Sequence, residues 1–430
     1  MKVLFVYPRF QRHSDSNPQL RTYVPMNEYL GSPSLGIAAL AAITPSHWEI
    51  EFRDDRVTPA DAPTDADLVA VSFFTPAAVR AFELAKVFRA QGKPVVAGGI
   101  FPSLMPELCA PHFDAVVEGE GEASWTRLLA DFEAGSLHPR YRRTCEVDLS
   151  TLPLPKVSVY LDVENDNFRP DDYPVQLSRG CGLSCHACAL PISMTKKLRD
   201  FPLAHVLGQL DQLAVAGKRA CLTEDTSWFP GRGSHRLGVL FDALAAQGGP
   251  TQISYIGLSM PMVLFASVPL LARARAAGVK MFYLVGGFDP ITMKAFTGKD
   301  ARALTRAYDA IERCHDEGIE PYTSFLLGLD DDDEGTVDRI LEFASSAKIR
   351  KAEFAIFTPY PGTPSWHRLL GEGRILHRDW SRYNDANVVF QPAQLTPDEL
   401  HEGYLRLWRD FYAERPQLAG LSAVERTIQF

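Results

Sequence analysis

Along the chain, short runs of consecutive apolar residues alternate with longer stretches in which apolar positions recur at helical spacing. The first kind reads as strands buried on both faces and the second as amphipathic helices. In the first third, strands are expected at 2–7, 48–53, 67–74, 94–98 and 114–117, and helices at 35–43, 77–91 and 122–134. Strands that alternate with helices in this way pair in parallel, with helices on both faces. Residues 1–140 therefore read as an α/β, doubly wound (Rossmann-like) domain. In such sheets a ligand sits beyond the carboxyl ends of the strands. Those ends carry 72–75, 98–102 and 118–122, so something is expected to bind there.

Residues 141–172 are rich in Pro and Asp, hold no sustained period, and read as a linker. The alternation resumes over 173–364, with strands expected at 174–178, 220–224, 252–258, 281–285, 321–327 and 351–357. Helices are expected around 203–216, 236–246, 269–277, 301–317 and 336–347. Six such repeats make a partial (β/α)6 barrel or a second open sheet. Residues 365–430 are helical in pattern and rich in aromatic residues (Trp366, Trp380, Tyr383, Tyr404, Trp408, Phe411, Tyr412), and read as a small helical C-terminal cap.

Composition narrows the partners. The 430 residues are 46% hydrophobic and 23% charged, with a formal net charge of −9 and no basic block, so nucleic acid is not expected. No apolar run approaches the roughly 18 residues of a membrane span. The first apolar run stops at Pro8 and reads as a strand rather than a signal peptide, which places the protein in the cytoplasm. Of seven cysteines, three crowd into positions 181–188, a pattern that favours metal binding over disulfides. Cys109, Cys145, Cys221 and Cys314 are scattered and read as inert core thiols. The acidic run 330–334 reads as a solvated turn that complements the dipole of the helix after it.

Cys181, Cys185 and Cys188 stand at C-x3-C-x2-C just after the first barrel strand, in a loop at the barrel mouth. Three thiolates so close suit a cubane iron–sulfur cluster, since one loop can wrap three corners and leave the fourth iron open. Structural zinc is the alternative. It would want a fourth ligand, and His186 is too tightly placed within Cys-His-Ala-Cys to join the same metal comfortably.

This motif, in this position, resembles that of the radical S-adenosylmethionine enzymes. The resemblance implies a [4Fe-4S] cluster on Cys181, Cys185 and Cys188. It also implies S-adenosylmethionine contacts from Glu224 and Asp225 after the second strand, Gly286, Gly287 and Asp289 after the fourth, Leu327 at the fifth and Tyr360 after the sixth. Two positions depart from the family pattern: Ala187 stands where an aromatic residue is usual, and Asp289 where Glu is usual. The chemistry implied is reductive cleavage of S-adenosylmethionine to a 5′-deoxyadenosyl radical that takes hydrogen from a substrate, with the protein orienting it and excluding water. The aromatic cap is expected to act as the lid. A flavodoxin- or ferredoxin-type electron donor is implied as partner, beside a small-molecule substrate.

The doubly wound domain ahead of the barrel is similar to the cobalamin-binding domain of one branch (class B type) of that family. The likeness covers nearly the whole chain and runs through 31–37, 96–102 and 117–122. It implies cobalamin contacts from Ser72, Thr75, Gly98, Gly99, Glu118 and Gly119. Ile100 stands where relatives often carry His, and no Asp-x-His-x-x-Gly is present to replace the lower base of cobalamin. The C-terminal segment is similar to that of members acting on hopanoids, bacteriochlorophylls and natural products. The expected function is cobalamin-dependent methylation of an unactivated carbon of a small-molecule or natural-product substrate. One alternative is cobalamin-independent radical deoxygenation, dehydration or cyclisation with a vestigial cobalamin domain. Another is a cluster- or zinc-bearing binding protein without catalysis.

Overall fold

The computed structural model describes residues 1–23, 34–165, 169–182, 185–223, 230–247, 253–285, 292–413 and 415. Strands β1 (Lys2–Tyr7), β2 (Glu49–Asp54), β3 (Leu68–Ser72), β4 (Val95–Gly98), β5 (Ala115–Glu118) and β6 (Arg140–Arg142) form one sheet in the order β2-β1-β3-β4-β5-β6. All neighbours pair in parallel. β1, β3 and β4 are buried along almost their whole length, which is why their sequences are unbroken apolar runs. From β1 the chain steps to one side for β2 and to the other for β3, so the strand order reverses there. That reversal opens a crevice beyond Tyr7 and Ser72.

A second parallel sheet holds β7 (Asp172–Gln176), β10 (Arg219–Thr223), β11 (Ile253–Ser259), β12 (Met281–Val285), β13 (Glu320–Leu327) and β14 (Lys351–Ile356). Between β7 and β10 the chain makes a short antiparallel ribbon of β8 (Ser178–Arg179) and β9 (Arg199–Asp200). The order β7-β10-β11-β12-β13-β14 follows the chain. Each crossover therefore steps the same way, packing its helices on one face and curving the other inward as a partial barrel.

The helix Pro397–Ala413 sets Leu400, Tyr404, Leu407, Trp408 and Phe411 on one buried face. It packs on edge strand β14, where Trp408 and Phe411 meet Phe354 at ring-centroid distances of 5.3 and 5.5 Å. The Tyr412 hydroxyl donates to the Ala352 carbonyl at 2.7 Å. Trp366, Trp380 and Tyr383 form a second ring cluster, and Trp380 reaches Phe101 of the first unit at 5.8 Å. All seven aromatic residues of the cap are buried, which corrects the expected lid: these rings are core that closes the barrel edge.

The segment after β1 is latched to the same region. His13 Nδ1 lies 3.0 Å from the Tyr404 hydroxyl, the Asn17 amide donates to the Ala386 carbonyl at 2.9 Å, and Asn384 donates to the Gln11 carbonyl at 3.0 Å. Burial drives the His13 pKa down to about 3, against a weaker pull upward from the Asn384 backbone. Among the described residues no helix is long and apolar enough to cross a membrane.

Candidate functional site

A cavity of about 1720 Å³, its open mouth included, lies beyond the carboxyl ends of the first sheet. Tyr7, Ser72, Gly98 and Val117 reach it from strand ends, and Phe10, Phe74, Leu40 and Trp125 add apolar surface. Its other side is furnished by Gln176 of β7, Arg179 of β8, and Ser193 and Met194 beyond the cysteines. The enclosed space is about 520 Å³, within the roughly 300–1,000 Å³ of ligand pockets. Gly99, at φ +102°, makes the turn after β4, and a Cβ there would stand 2.6 Å from the Phe73 carbonyl oxygen. Only glycine keeps that turn tight enough for the chain ends to frame a large ligand.

Ser72, Gly98, Gly99 and Gly119 all line this cavity, as does Ile100. Thr75 and Glu118 do not. Thr75 is buried at the start of a short 3-10 turn, and Glu118 pairs with Arg140 at 2.8 Å and Arg142 at 3.3 Å on edge strand β6.

The cysteine loop begins at Gly180, whose φ is +87°. A Cβ there would stand 2.2 Å from the Lys197 carbonyl oxygen and 2.8 Å from that of Thr195, so the chain can leave β8 this way only through glycine. Cys181 is buried and its N–H donates to the Thr195 carbonyl at 3.2 Å. Cys185 and Cys188 are half-buried, joined by the Cys188 N–H donating to the Cys185 carbonyl at 3.2 Å. A short helix, Leu190–Ser193, then returns to the cavity, where a Cβ on Gly119 would sit 3.7 Å from the Ser193 carbonyl oxygen. Three soft donors on one half-open loop fit a three-cornered iron–sulfur ligation. Among the described residues no three His, Cys, Asp or Glu side chains are gathered as a ready-made ion site, so the fit rests on donor chemistry and loop position. Burial pushes the Cys109 and Cys314 thiols up to about 12 and raises Cys221 as well, leaving them inert; Cys145 is exposed, not core.

Glu224, Asp225, Gly286, Gly287 and Asp289 lie outside the described residues. Leu327 is buried at the end of β13, and Gly328 follows at φ +96°. Asp332 accepts from the Gly328 and Leu329 N–H groups at 2.7 and 2.9 Å, and burial pushes its carboxyl up to about 6. Its neighbours are ion-paired: Asp330 to Arg368 and Arg374, Asp331 to Lys299, Asp333 to Arg339. The acidic run is thus a bonded turn with a buried centre rather than a solvated one. Tyr360, after β14, donates to Asp385 at 2.9 Å. Asp385 adopts φ +61°, a strained backbone for a residue with a side chain, and burial raises its carboxyl to about 6 although the Tyr360 bond pulls the other way.

No period or motif marks one further feature. Arg179 bridges to Glu120 at 3.1 Å and to Glu122 at 2.8 Å, and Arg199 reaches Glu120 at 2.9 Å. Arg143 adds a fourth contact at 3.2 Å. The only trace in the sequence is an arginine directly before the Gly-Cys of the loop, and glutamates alternating with glycine after β5.

Residues 30–129 match the family model described as B12 binding domain. The chain is 24% identical to the bacteriochlorophyllide d C-12(1)-methyltransferase of Chlorobaculum tepidum, over 92% of this chain and 86% of that protein. It is also 24% identical to the hopanoid C-2 methylase of Rhodopseudomonas palustris, over 97% of this chain and 77% of that protein. The radical S-adenosylmethionine methyltransferase TsrM from Kitasatospora setae, solved with cobalamin and a [4Fe-4S] cluster, has the same fold. Its TM-score is 0.65 at 16% identity, over 86% of this chain and 78% of that one. The fold is thus α/β, of the kind seen in that methyltransferase, and over most of its length the chain is similar to methyltransferases. The match of its first unit to the B12 binding domain, ahead of a barrel, agrees with the arrangement that the sequence resemblance implied.

Proposed function

We propose that this chain methylates an unactivated carbon of a flat or lipid-like natural product, using cobalamin held in the first unit and S-adenosylmethionine at the barrel mouth. The observation that carries this reading is the shared wall. The B12-type cavity is lined on one side by the turns after β4 and β5 and on the other by Arg179, Ser193 and Met194, which flank the cysteines. The two cofactor sites therefore adjoin. A [4Fe-4S] cluster would supply the electron that cleaves S-adenosylmethionine, and a corrin would carry the methyl group.

The chain's own part is binding and orientation. Cys181, Cys185 and Cys188 are the cluster ligands, leaving one iron for S-adenosylmethionine. Gly98, Gly99 and Gly119 let backbone approach a large ring, with the Ser72 hydroxyl as a polar contact; Thr75 and Glu118 support that wall from behind. Glu224, Asp225, Gly286, Gly287, Asp289 and Leu327 are proposed around S-adenosylmethionine, with Tyr360 oriented by Asp385. A flavodoxin- or ferredoxin-type donor and a cytoplasmic site of action complete the proposal.

Anaerobically purified, cluster-reconstituted protein should show a corrin spectrum. With a strong reductant and a bacteriochlorophyllide or hopanoid acceptor, it should transfer label from [methyl-13C]S-adenosylmethionine and release 5′-deoxyadenosine. Release of 5′-deoxyadenosine without label transfer and without corrin uptake would favour the cobalamin-independent chemistry. Absence of 5′-deoxyadenosine under every condition would defeat the enzymatic reading.

A further inference from the structure

The charges between cavity and cysteine loop are not needed to ligate a cluster or to build either sheet. Glu120 and Glu122 follow β5 in a turn that lines the cavity. Arg179 and Arg199 stand opposite one another in the β8/β9 ribbon, from which the loop springs and to which it returns. The side chain of Glu120 is 2% exposed and that of Arg179 8%. Such a buried ionic group adds little stability over apolar packing, but breaking it strands a charge, so it holds one arrangement against others. The arrangement held here is that of the cysteine loop on the cavity wall. Glu120 grips both strands at the loop's base, and Ser193 near its far end abuts Gly119.

We propose that Glu120 and Glu122 are positioning residues that couple the two cofactor sites through Arg179 and Arg199, so that a corrin in the cavity and a cluster on the loop each tighten binding of the other. The inference rests on the proposed function. Both ligands bear on one short segment: 119–122 line the cavity, and the carboxylates of Glu120 and Glu122 fix the ribbon beneath the cysteines. Whatever orders that segment for one ligand orders it for the other, and the effect is reciprocal by linkage.

The test is anaerobic titration with hydroxocobalamin, followed by visible absorption, on cluster-free and cluster-reconstituted protein in parallel. In the unaltered protein the cluster should lower the Kd by about fivefold or more, the lower end of usual allosteric couplings. Glu120→Gln should bring the ratio of the two Kd values near one while both cofactors still bind. Glu120→Asp, which keeps the charge, should restore part of it, a rescue that a purely structural role would not predict. Circular dichroism monitors folding, and if Glu120→Gln does not fold, Glu122→Gln serves for the same comparison. Equal Kd values in the unaltered protein, or an unchanged ratio in the Gln variant, overturn the coupling alone. Failure of every form to take up hydroxocobalamin or iron overturns the proposed function, and the coupling with it.

Discussion

Gly180 shows how one backbone position decides a site. With φ +87° and two carbonyl oxygens within 2.8 Å of any Cβ, Gly180→Ala cannot be absorbed by a side-chain shift. Reconstituted Gly180→Ala protein is expected to hold far less iron and sulfide per chain than the unaltered protein, even where circular dichroism shows it folded. His13 gives a prediction in pH. Its folded pKa is about 3, below the roughly 6.5 of an unfolded histidine, so the unfolded state binds more protons between those values. Stability is therefore lost as pH falls from about 6.5 toward 3. His13→Gln should flatten that part of a Tm-against-pH curve. The turns at Gly99 and Gly119 were legible in the sequence because positive φ is a local demand, and the cysteine motif stood out because its spacing is local too. The Glu120–Arg179 pair was not, because partners separated by 59 positions meet only in the folded chain.

At the scale of elements, β1, β3 and β4 could be read because both faces are buried along an almost unbroken apolar run. β6, β8 and β9 were missed. Each is two or three residues long and charged, too short for any period, and each forms only because a neighbour offers an edge. β6 also occupies 140–142, where the linker was expected to begin. The aromatic residues after 364 were visible as a cluster, but composition does not say whether rings face a ligand or one another; helical spacing on Pro397–Ala413 turns Tyr404, Trp408, Phe411 and Tyr412 inward, while Trp366, Trp380 and Tyr383 pack on each other. Trp408→Ala should accordingly cost about 3–5 kcal/mol of stability, the usual range for emptying a core site. A lowered urea midpoint at unchanged m-value would show it.

Over the whole molecule, the two sheets differ by strand order, and that difference places the chemistry. A reversing order puts a crevice at the carboxyl edge of the first sheet, while a sequential order makes the second a barrel with its mouth at the same kind of edge. Arg179 and Ser193, on either side of the cysteine loop, line the crevice of the first sheet, so loop and crevice adjoin. Replacing Cys181, Cys185 and Cys188 together by Ala should abolish iron uptake and 5′-deoxyadenosine release. The same variant should keep its circular dichroism spectrum and bind hydroxocobalamin measurably but less tightly.

The latch between the segment after β1 and the last described helix has a temporal side. His13 bonds to Tyr404 across 391 positions, Asn17 to Ala386 across 369, and Phe10, just before them, lines the cavity against Phe74. A ribosome adding about 5–20 residues per second needs on the order of tens of seconds between releasing the first sheet and releasing Pro397–Ala413. During that interval the first sheet has no partner for its own opening loop. A ligand of that crevice therefore meets a finished site only after synthesis, and a nascent chain stalled short of Tyr404 should emerge with its first sheet paired and its cavity unfinished.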